Sequence, residues 1–352
     1  MQDLLALFPE EIGDVMREWG EPSFRAAQIF RHVTAGDSPS EMTTLPKSLR
    51  TRIEREFVWR LPEVEQKLSS RIDGTVKYLF RLFDGEAVES VLMRYRHGNT
   101  LCVSSQVGCR MGCRFCASTL GGRVRDLYAS EILGQVIAAT RESGERISNI
   151  VMMGIGEPLD NYDNVLHFLR LVNRPEGLSV GYRHISLSTC GLADGIRRLS
   201  EEDLPITLSI SLHAATDEKR SAIMPVNRRY PIAELLDACR AYYRVTGRRI
   251  SFEYTLIAGQ NDSAEDAVAL ATLLRRTVGA EIAPIHVTLI RANRVEETGF
   301  SGTGIAEANA FAAKLTSLGI TATVRRRLGS DVNAACGQLR RSRRSREEAE
   351  KT

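Results

Sequence analysis

Apolar residues follow two different spacings along this chain, and the change between them divides it. In the first 85 or so positions they recur every three or four residues over 9–18, 25–34 and 46–56, which predicts three short helices. Apolar-rich runs at 77–83 and 88–94 predict strands, and Pro22, Gly36, Pro39 and Pro46 punctuate the stretch. From about residue 100 the pattern becomes regular, with β-rich runs at 100–105, 148–154, 184–189, 206–212, 250–257 and 285–291. Helical stretches lie near 128–143, 161–173, 193–200, 231–246, 263–277 and 303–318, and a last strand is expected near 319–325. Strands alternating with helices of this length predict a parallel sheet with right-handed crossovers. Six such units fall short of the eight that close a barrel. The expected class is therefore α/β, an open partial (β/α)6 barrel with a small N-terminal helical accessory domain. The expected boundaries are 1–85 for the accessory domain with its linking strands, 86–325 for the barrel and 326–352 for a C-terminal tail. Catalytic side chains should stand just beyond the C-terminal ends of the strands.

Composition changes this picture little. With 352 residues, 43% hydrophobic and 26% charged, the chain can bury a substantial core. Its net charge of +3 is too small to argue for nucleic acid on its own. The charge is uneven, however: Arg325, Arg326 and Arg327 form one basic run, and Arg340, Arg341, Arg343, Arg344 and Arg346 another. Such runs suit phosphates and solvated tails equally well, and the Arg/Ser/Glu terminus has the composition of a disordered end. The opening residues lack the basic lead and cleavage site of a secretory signal, and no apolar run approaches the roughly 18 residues of a membrane span, so a cytoplasmic protein is expected. In that reducing compartment the seven cysteines point to metal or redox chemistry rather than structural disulfides.

Three of them form Cys109-Arg-Met-Gly-Cys113-Arg-Phe-Cys116, directly after the first predicted barrel strand. The C-x3-C-x2-C spacing lets one loop hold three corners of a cubane iron–sulfur cluster and leave the fourth iron without a protein ligand. That open iron suits chelation of S-adenosylmethionine, whose reductive cleavage yields a carbon radical. Zinc is the alternative, because Cys102 adds a fourth thiol within fifteen residues. Paired zinc knuckles have a different spacing, which favours the open cluster. Phe115, inside the motif, is placed to pack on an adenine or in the core.

Polar residues gather at the predicted strand ends. Met153-Gly-Ile-Gly156-Glu157-Pro158 offers a close backbone approach and an acceptor for an ammonium group. Ser186-Leu-Ser188-Thr189-Cys190-Gly191, Ser209-Ile-Ser211-Leu212-His213 and Leu289-Ile-Arg291-Ala-Asn293 follow at later ends. Singly, each reads as a loop residue bonding its own backbone; together they suit a ligand lying across the top of a barrel.

With Leu101-Cys-Val-Ser-Ser-Gln-Val-Gly-Cys109, Ile223-Met-Pro-Val-Asn227 and Ala334-Ala-Cys-Gly-Gln-Leu339, these strings make residues 20 to 342 resemble the RlmN/Cfr family of radical S-adenosylmethionine RNA adenine methyltransferases. The resemblance implies a [4Fe–4S] cluster on Cys109, Cys113 and Cys116, and two S-adenosylmethionine molecules per turnover. It implies cofactor contacts from Gly156, Glu157, Ser188, Ser211, Leu212, His213 and Asn293. Cys336 would take a methyl group from the first cofactor, and a radical from the second would activate that methyl for addition to carbon 2 of an adenine. Glu89, in Val88-Glu-Ser-Val91, matches the proton acceptor. Cys102 matches the thiol that releases the product through a transient disulfide with Cys336. The implied substrates are 23S ribosomal RNA and transfer RNA, the implied reductant is a flavodoxin or ferredoxin, and a monomer is expected. The sequence departs from the family at Cys190, where Ser is common, and at Thr288 and Arg291, where Asn and Pro are usual. Leu289-Ile-Arg291 is nearer the carbon-8 enzymes, whereas Gln106 to Cys109 and Gly156 to Pro158 follow the carbon-2 enzymes. Cys239, in a helical pattern, is expected in the core.

Overall fold

Ten strands hydrogen-bond into one sheet in the computed structural model, which describes residues 1–279, 281, 285–293, 299–332, 339, 340 and 343. Seven run parallel and neighbour one another in chain order: Gly98–Cys102, Ile147–Met152, Ile185–Thr189, Thr207–Ser211, Ile250–Leu256, His286–Arg291 and Thr321–Val324. The predicted last strand thus joins the same sheet as its seventh parallel member. Helices Ala129–Ser143, Tyr162–Asn173, Ala193–Ser200, Ile232–Thr246, Ala264–Thr277 and Ile305–Ser317 connect the strands. The sheet has two distinct edges, so the barrel is open as expected.

Side-chain alternation explains why the strands look amphipathic. Ile185, Leu187, Leu208, Ile210, Phe252, Val287 and Leu289 point into the core beneath the helices. Their neighbours Ser186, Ser188, Ser211, Glu253 and Thr255 line cavities within the barrel. Parallel strands covered on both faces normally read as continuous apolar runs. Here one face is polar because the barrel holds a cavity.

Three antiparallel strands, Glu63–Ser69, Val76–Arg81 and Ala87–Tyr95, extend the sheet beyond Gly98–Cys102. The outermost was not predicted; its residues are half-buried or exposed and carry Glu63, Glu65 and Lys67. That is ordinary for an edge strand, and it erases the apolar signal. Before it come helices Pro9–Glu18, Phe24–Ala35 and Lys47–Glu56, close to the predicted spans. Leu4, Phe30 and Val33 from this segment share one apolar cluster with Ile132, Val136 and Phe168 of the barrel helices.

The first barrel strand is shorter than expected. It ends at Cys102, and a separate short strand, Gln106–Gly108, pairs antiparallel with Arg123–Asp126. This hairpin, rather than the barrel strand itself, carries the cysteine loop. At its base Gly108 has φ +79°, and a Cβ there would lie 1.9 Å from the Gly122 carbonyl oxygen. Only glycine fits. Among the described residues, no helix is long and apolar enough to cross a membrane.

Candidate active site

A cavity of about 230 Å³ opens among the C-terminal ends of the barrel strands and beneath the cysteine loop. Cys109, Cys113, Phe115 and Cys116 line it from the loop, and Gly156, Glu157, Ser188, Ser211 and His213 from the strand ends. The structure thus gathers eight of the predicted cluster and cofactor residues around one space. Leu212 is placed differently: its side chain is in the apolar core, and its carbonyl accepts a bond from Arg220. Asn293 is half-buried two residues past the sixth barrel strand and does not line the cavity.

The glycines set how close the second strand end comes. Gly156 has φ +110°, and a Cβ there would stand 2.7 Å from the Gln106 backbone nitrogen and the Ser105 hydroxyl. Gln106 fixes the segment further, its Oε1 accepting from the Glu157 N–H at 2.9 Å. Glu157 is buried, and its oxygens accept from the N–H groups of Cys190 at 2.7 Å and Leu159 at 3.0 Å. Burial raises its pKa, and those two N–H groups oppose the rise. The Thr189 and Cys190 side chains bond the same carboxylate, which faces the cavity as an acceptor suited to an ammonium group.

Across the cavity, Ser188 donates to Glu253 at 3.0 Å and lies 3.5 Å from the Ser211 hydroxyl. Burial raises the pKa of Glu253, while the positive charge of Arg325, also in the lining, lowers it. Neither residue was predicted for the site. A signal for Glu253 was present: one acid on the polar phase of an otherwise apolar strand, between Ser251 and Thr255. Arg325 turns into the cavity, so the first basic run is not wholly a surface feature; Arg326 and Arg327 are exposed.

His213 occupies the left-handed region at φ 59°, and its Nδ1 accepts the Thr255 N–H at 3.0 Å. Burial, with help from the Arg220 charge, lowers its pKa to about 3. The ring is neutral, with its proton on Nε2. Phe115 meets it edge-on, centroids 5.1 Å apart. Asn261, also missed from sequence, holds this turn by donating to the carbonyls of His213 at 2.7 Å and Thr255 at 2.8 Å.

Arg220 braces two strand ends from behind. Its fully buried guanidinium donates to the carbonyls of Cys190 at 2.7 Å and Leu212 at 3.0 Å and to Asn227 Oδ1 at 2.8 Å. It comes from a short helix, Asp217–Ile223, that the apolar pattern did not reveal. Cys190 lines the cavity beside the cysteine loop, and Cys239 is core, as expected.

The donor set suits an iron–sulfur cubane. Three thiols face one space; Cys109 feels the charge of Cys116, and Cys113 that of both Cys116 and Cys109. Burial pushes the Cys109 thiol up to about 12 and Cys113 well above its ordinary value, so the deprotonated ligands need the positive charge of bound iron. Among the described residues no three His, Cys, Asp or Glu side chains converge on a single metal ion. Cys102, the fourth thiol of the zinc alternative, packs in a separate apolar cluster with Val91 and Met93. That alternative fails on geometry.

Glu89 lies outside the cavity lining, on the antiparallel arm. It is almost fully buried and pairs with the equally buried Lys77 at 2.9 Å. Cys336 lies outside the described residues, as do Arg341, Arg344 and Arg346 of the second basic run. Arg340 and Arg343 of that run pair with Glu86 and Glu65.

Residues 103–271 match the radical SAM superfamily. The chain is 50% identical over 344 residues to a probable dual-specificity RNA methyltransferase RlmN of Clostridium perfringens, covering 97% of each. It is likewise 50% identical over 342 residues to the protein of that description from Clostridium tetani, covering 97% of this chain and 96% of the relative. A crystal structure of a radical SAM methyltransferase from Sphaerobacter thermophilus superposes with a TM-score of 0.90 at 41% identity, covering 96% of this chain and 99% of that one. With such likeness along its whole length and a three-thiol cavity at its strand ends, the chain belongs to the RlmN family of radical SAM methyltransferases, enzymes that work with a [4Fe–4S] cluster and S-adenosylmethionine.

Proposed function

We propose that this enzyme methylates carbon 2 of a specific adenosine in 23S ribosomal RNA and in transfer RNA, with Cys336 as the carbon carrier, Glu89 as the proton acceptor and Cys102 as the resolving thiol. The observation that carries this reading is where the chain flanking Cys336 is anchored. On one side, Gly329 N–H donates to Asp73 at 2.9 Å and Asp331 accepts from Ser70 at 2.6 Å. On the other, the Arg340 N–H donates to Glu89 Oε1 at 2.7 Å. Leu328 packs against the cluster that contains Cys102. Both flanks therefore return to the antiparallel arm, where Glu89 and Cys102 stand within a few residues of each other in register, Val91 pairing with Cys102.

When bound, the cluster and S-adenosylmethionine supply a 5′-deoxyadenosyl radical. The chain's own residues do the rest. Cys109, Cys113 and Cys116 hold the cluster, while Glu157, Ser188, Ser211 and His213 orient the cofactor. Glu89, kept out of water beside Lys77, takes the proton lost when the adduct at carbon 2 breaks down. The Cys102 thiolate then attacks the sulfur of Cys336, and the carbon–sulfur bond breaks with its electron pair going to the methylene carbon. That carbon takes up a proton to become the methyl group of the freed base, leaving a disulfide for a reductant to reopen. A flavodoxin or ferredoxin fits the reductive role, and the chain is read as a monomer.

The test is Cys102→Ala under anaerobic turnover with RNA and labelled S-adenosylmethionine. Protein carrying covalently attached RNA through Cys336 is the expected result. Clean multiple turnover by the variant would refute the assignment. Mass spectrometry of the nucleosides made by wild-type protein reads the position, 2-methyladenosine being expected and 8-methyladenosine refuting the regiochemistry.

A further inference from the structure

We infer that Phe83 and Tyr128 form a base-stacking platform for RNA on the rim of the active-site face, outside the cavity that holds the cofactor. This inference rests on the RNA reading above and adds a surface to it.

Phe83 lies in the turn between the strands Val76–Arg81 and Ala87–Tyr95. Because Ala87–Tyr95 runs antiparallel to Gly98–Cys102, with Val91 opposite Cys102, that turn projects from the sheet end where the barrel strands finish. Tyr128 follows the strand of the cysteine-loop hairpin and precedes the helix Ala129–Ser143, at the same end. Phe83 is 49% exposed and Tyr128 55% exposed, so neither ring is a core residue. Their centroids stand 6.4 Å apart with planes 27° from parallel, so the two exposed rings form a stacked pair.

Guanidinium groups interleave with these rings. Arg60 lies over Phe83 at 4.1 Å, and Arg125 sits 5.4 Å from Phe83 and 5.7 Å from Tyr128. Arg125 is not mobile, for Asp84 and Glu131 hold it at 2.6 to 2.8 Å. The Phe83 turn is itself held by the C-terminal segment, Arg340 pairing with Glu86 and Arg343 donating to the Gly85 carbonyl at 2.9 Å. Exposed rings fixed in place by Arg are the equipment with which proteins stack unpaired bases.

Asp84, Glu131, Glu86 and Glu65 hold Arg125, Arg340 and Arg343 in local pairs, so what these described residues offer an occupant is ring stacking rather than phosphate pairing, which suits the bases of RNA. The platform offers flat faces beside the arm that carries Glu89. An adenine taken into the cavity must leave its stack, and a neighbouring base left exposed by that step finds a replacement surface here.

The experiment compares wild type with Phe83→Ala, Tyr128→Ala and the double variant, reconstituted anaerobically. RNA affinity is measured at several salt concentrations, with iron content and melting temperature in parallel. Each truncation should weaken RNA binding about tenfold and the pair about 100-fold, since each ring stacks one base. The slope of log affinity against log salt should stay that of wild type, because no phosphate contact is lost. Iron content and melting temperature should be unchanged, and Phe83→Trp or Tyr128→Phe should keep wild-type affinity. Unchanged RNA affinity in the double variant would overturn the platform, as would a loss accompanied by a shallower salt slope. Unchanged RNA affinity with slower reduction of the cluster by flavodoxin would also overturn it and assign the surface to a protein. Wild-type protein that bound no RNA would overturn both the platform and the reading it rests on.

Discussion

Replacing Arg220 with methionine tests whether the strand ends around the cavity are held from behind by a single buried cation. The guanidinium makes three short bonds, to Cys190 O, Leu212 O and Asn227 Oδ1, and two longer ones, to Ser211 O at 3.2 Å and Tyr230 O at 3.5 Å. Methionine fills much of the volume but donates nothing. The three short-bonded acceptors then lose their donor in a place without solvent, at about 1–3 kcal/mol each. Part is recovered where Asn227 Oδ1 turns toward the Ser221 hydroxyl, which can donate and already lies 2.8 Å from Asn227 Nδ2. Relief from burying a cation offsets more, because burial lowers the pKa of Arg220 and so opposes its charge. The net loss should be about 3–5 kcal/mol. At about 2 °C per kcal/mol for a chain of this size, the melting temperature should fall by about 6–10 °C.

The same change should loosen the site, because the carbonyls released belong to Cys190 and Leu212, whose neighbours Ser188 and His213 line the cavity. The assay is thermal unfolding of anaerobically reconstituted protein together with calorimetry of S-adenosylmethionine binding. Arg220→Lys should recover little, since one ammonium cannot reach acceptors spread over several strand ends. A melting temperature within about 2 °C of wild type in the methionine variant would refute the reasoning.

Two more outcomes follow from buried charges. Lys77→Met leaves Glu89 buried without its cation and should cost about 3–5 kcal/mol, whereas Lys77→Met with Glu89→Gln should regain much of it; equal unfolding midpoints for the two variants would contradict the pairing. His213 is neutral in the folded state with a pKa near 3, so between that value and its ordinary 6.5 the unfolded chain binds the extra proton. Its contribution to stability is therefore complete above about pH 6.5 and is lost at up to about 1.4 kcal/mol per pH unit as the pH falls toward 3. His213→Gln should flatten the acid limb of the unfolding curve, and an unchanged limb would show that the ring titrates normally.

What the sequence revealed depended on whether a residue's task left a periodic trace. The seven parallel strands were legible as short β-rich runs spaced by helices, and several, such as Ile185–Thr189 and Ile250–Leu256, alternate an apolar residue for the helix layer with a polar one for the cavity. The cysteine loop was legible because three thiols in eight residues have few other uses. Asp217–Ile223 escaped because seven residues reading Asp-Glu-Lys-Arg-Ser-Ala-Ile present no apolar stripe, although the helix sets Arg220 in the middle of the barrel. Glu63–Ser69 escaped because an edge strand has no face to bury. Glu89 was reached only through family resemblance, for an acid inside a buried strand looks like an error until its Lys77 partner, distant in sequence, is seen beside it.

That pairing bears on the proton-acceptor role proposed for Glu89. Lys77 on the adjacent strand lies 2.9 Å from the Glu89 carboxylate, and the Arg340 N–H donates to it at 2.7 Å. The second contact comes from the C-terminal segment, so Glu89 gains it only when that segment is docked. Docking also sets Leu328 against the Cys102 cluster and anchors Gly329 and Asp331 on the turn at 70–73. One movement of the tail would thus alter the surroundings of Glu89 and Cys102 together, the coupling that the proposed sequence of methyl loading, adduct formation and release requires of a single chain.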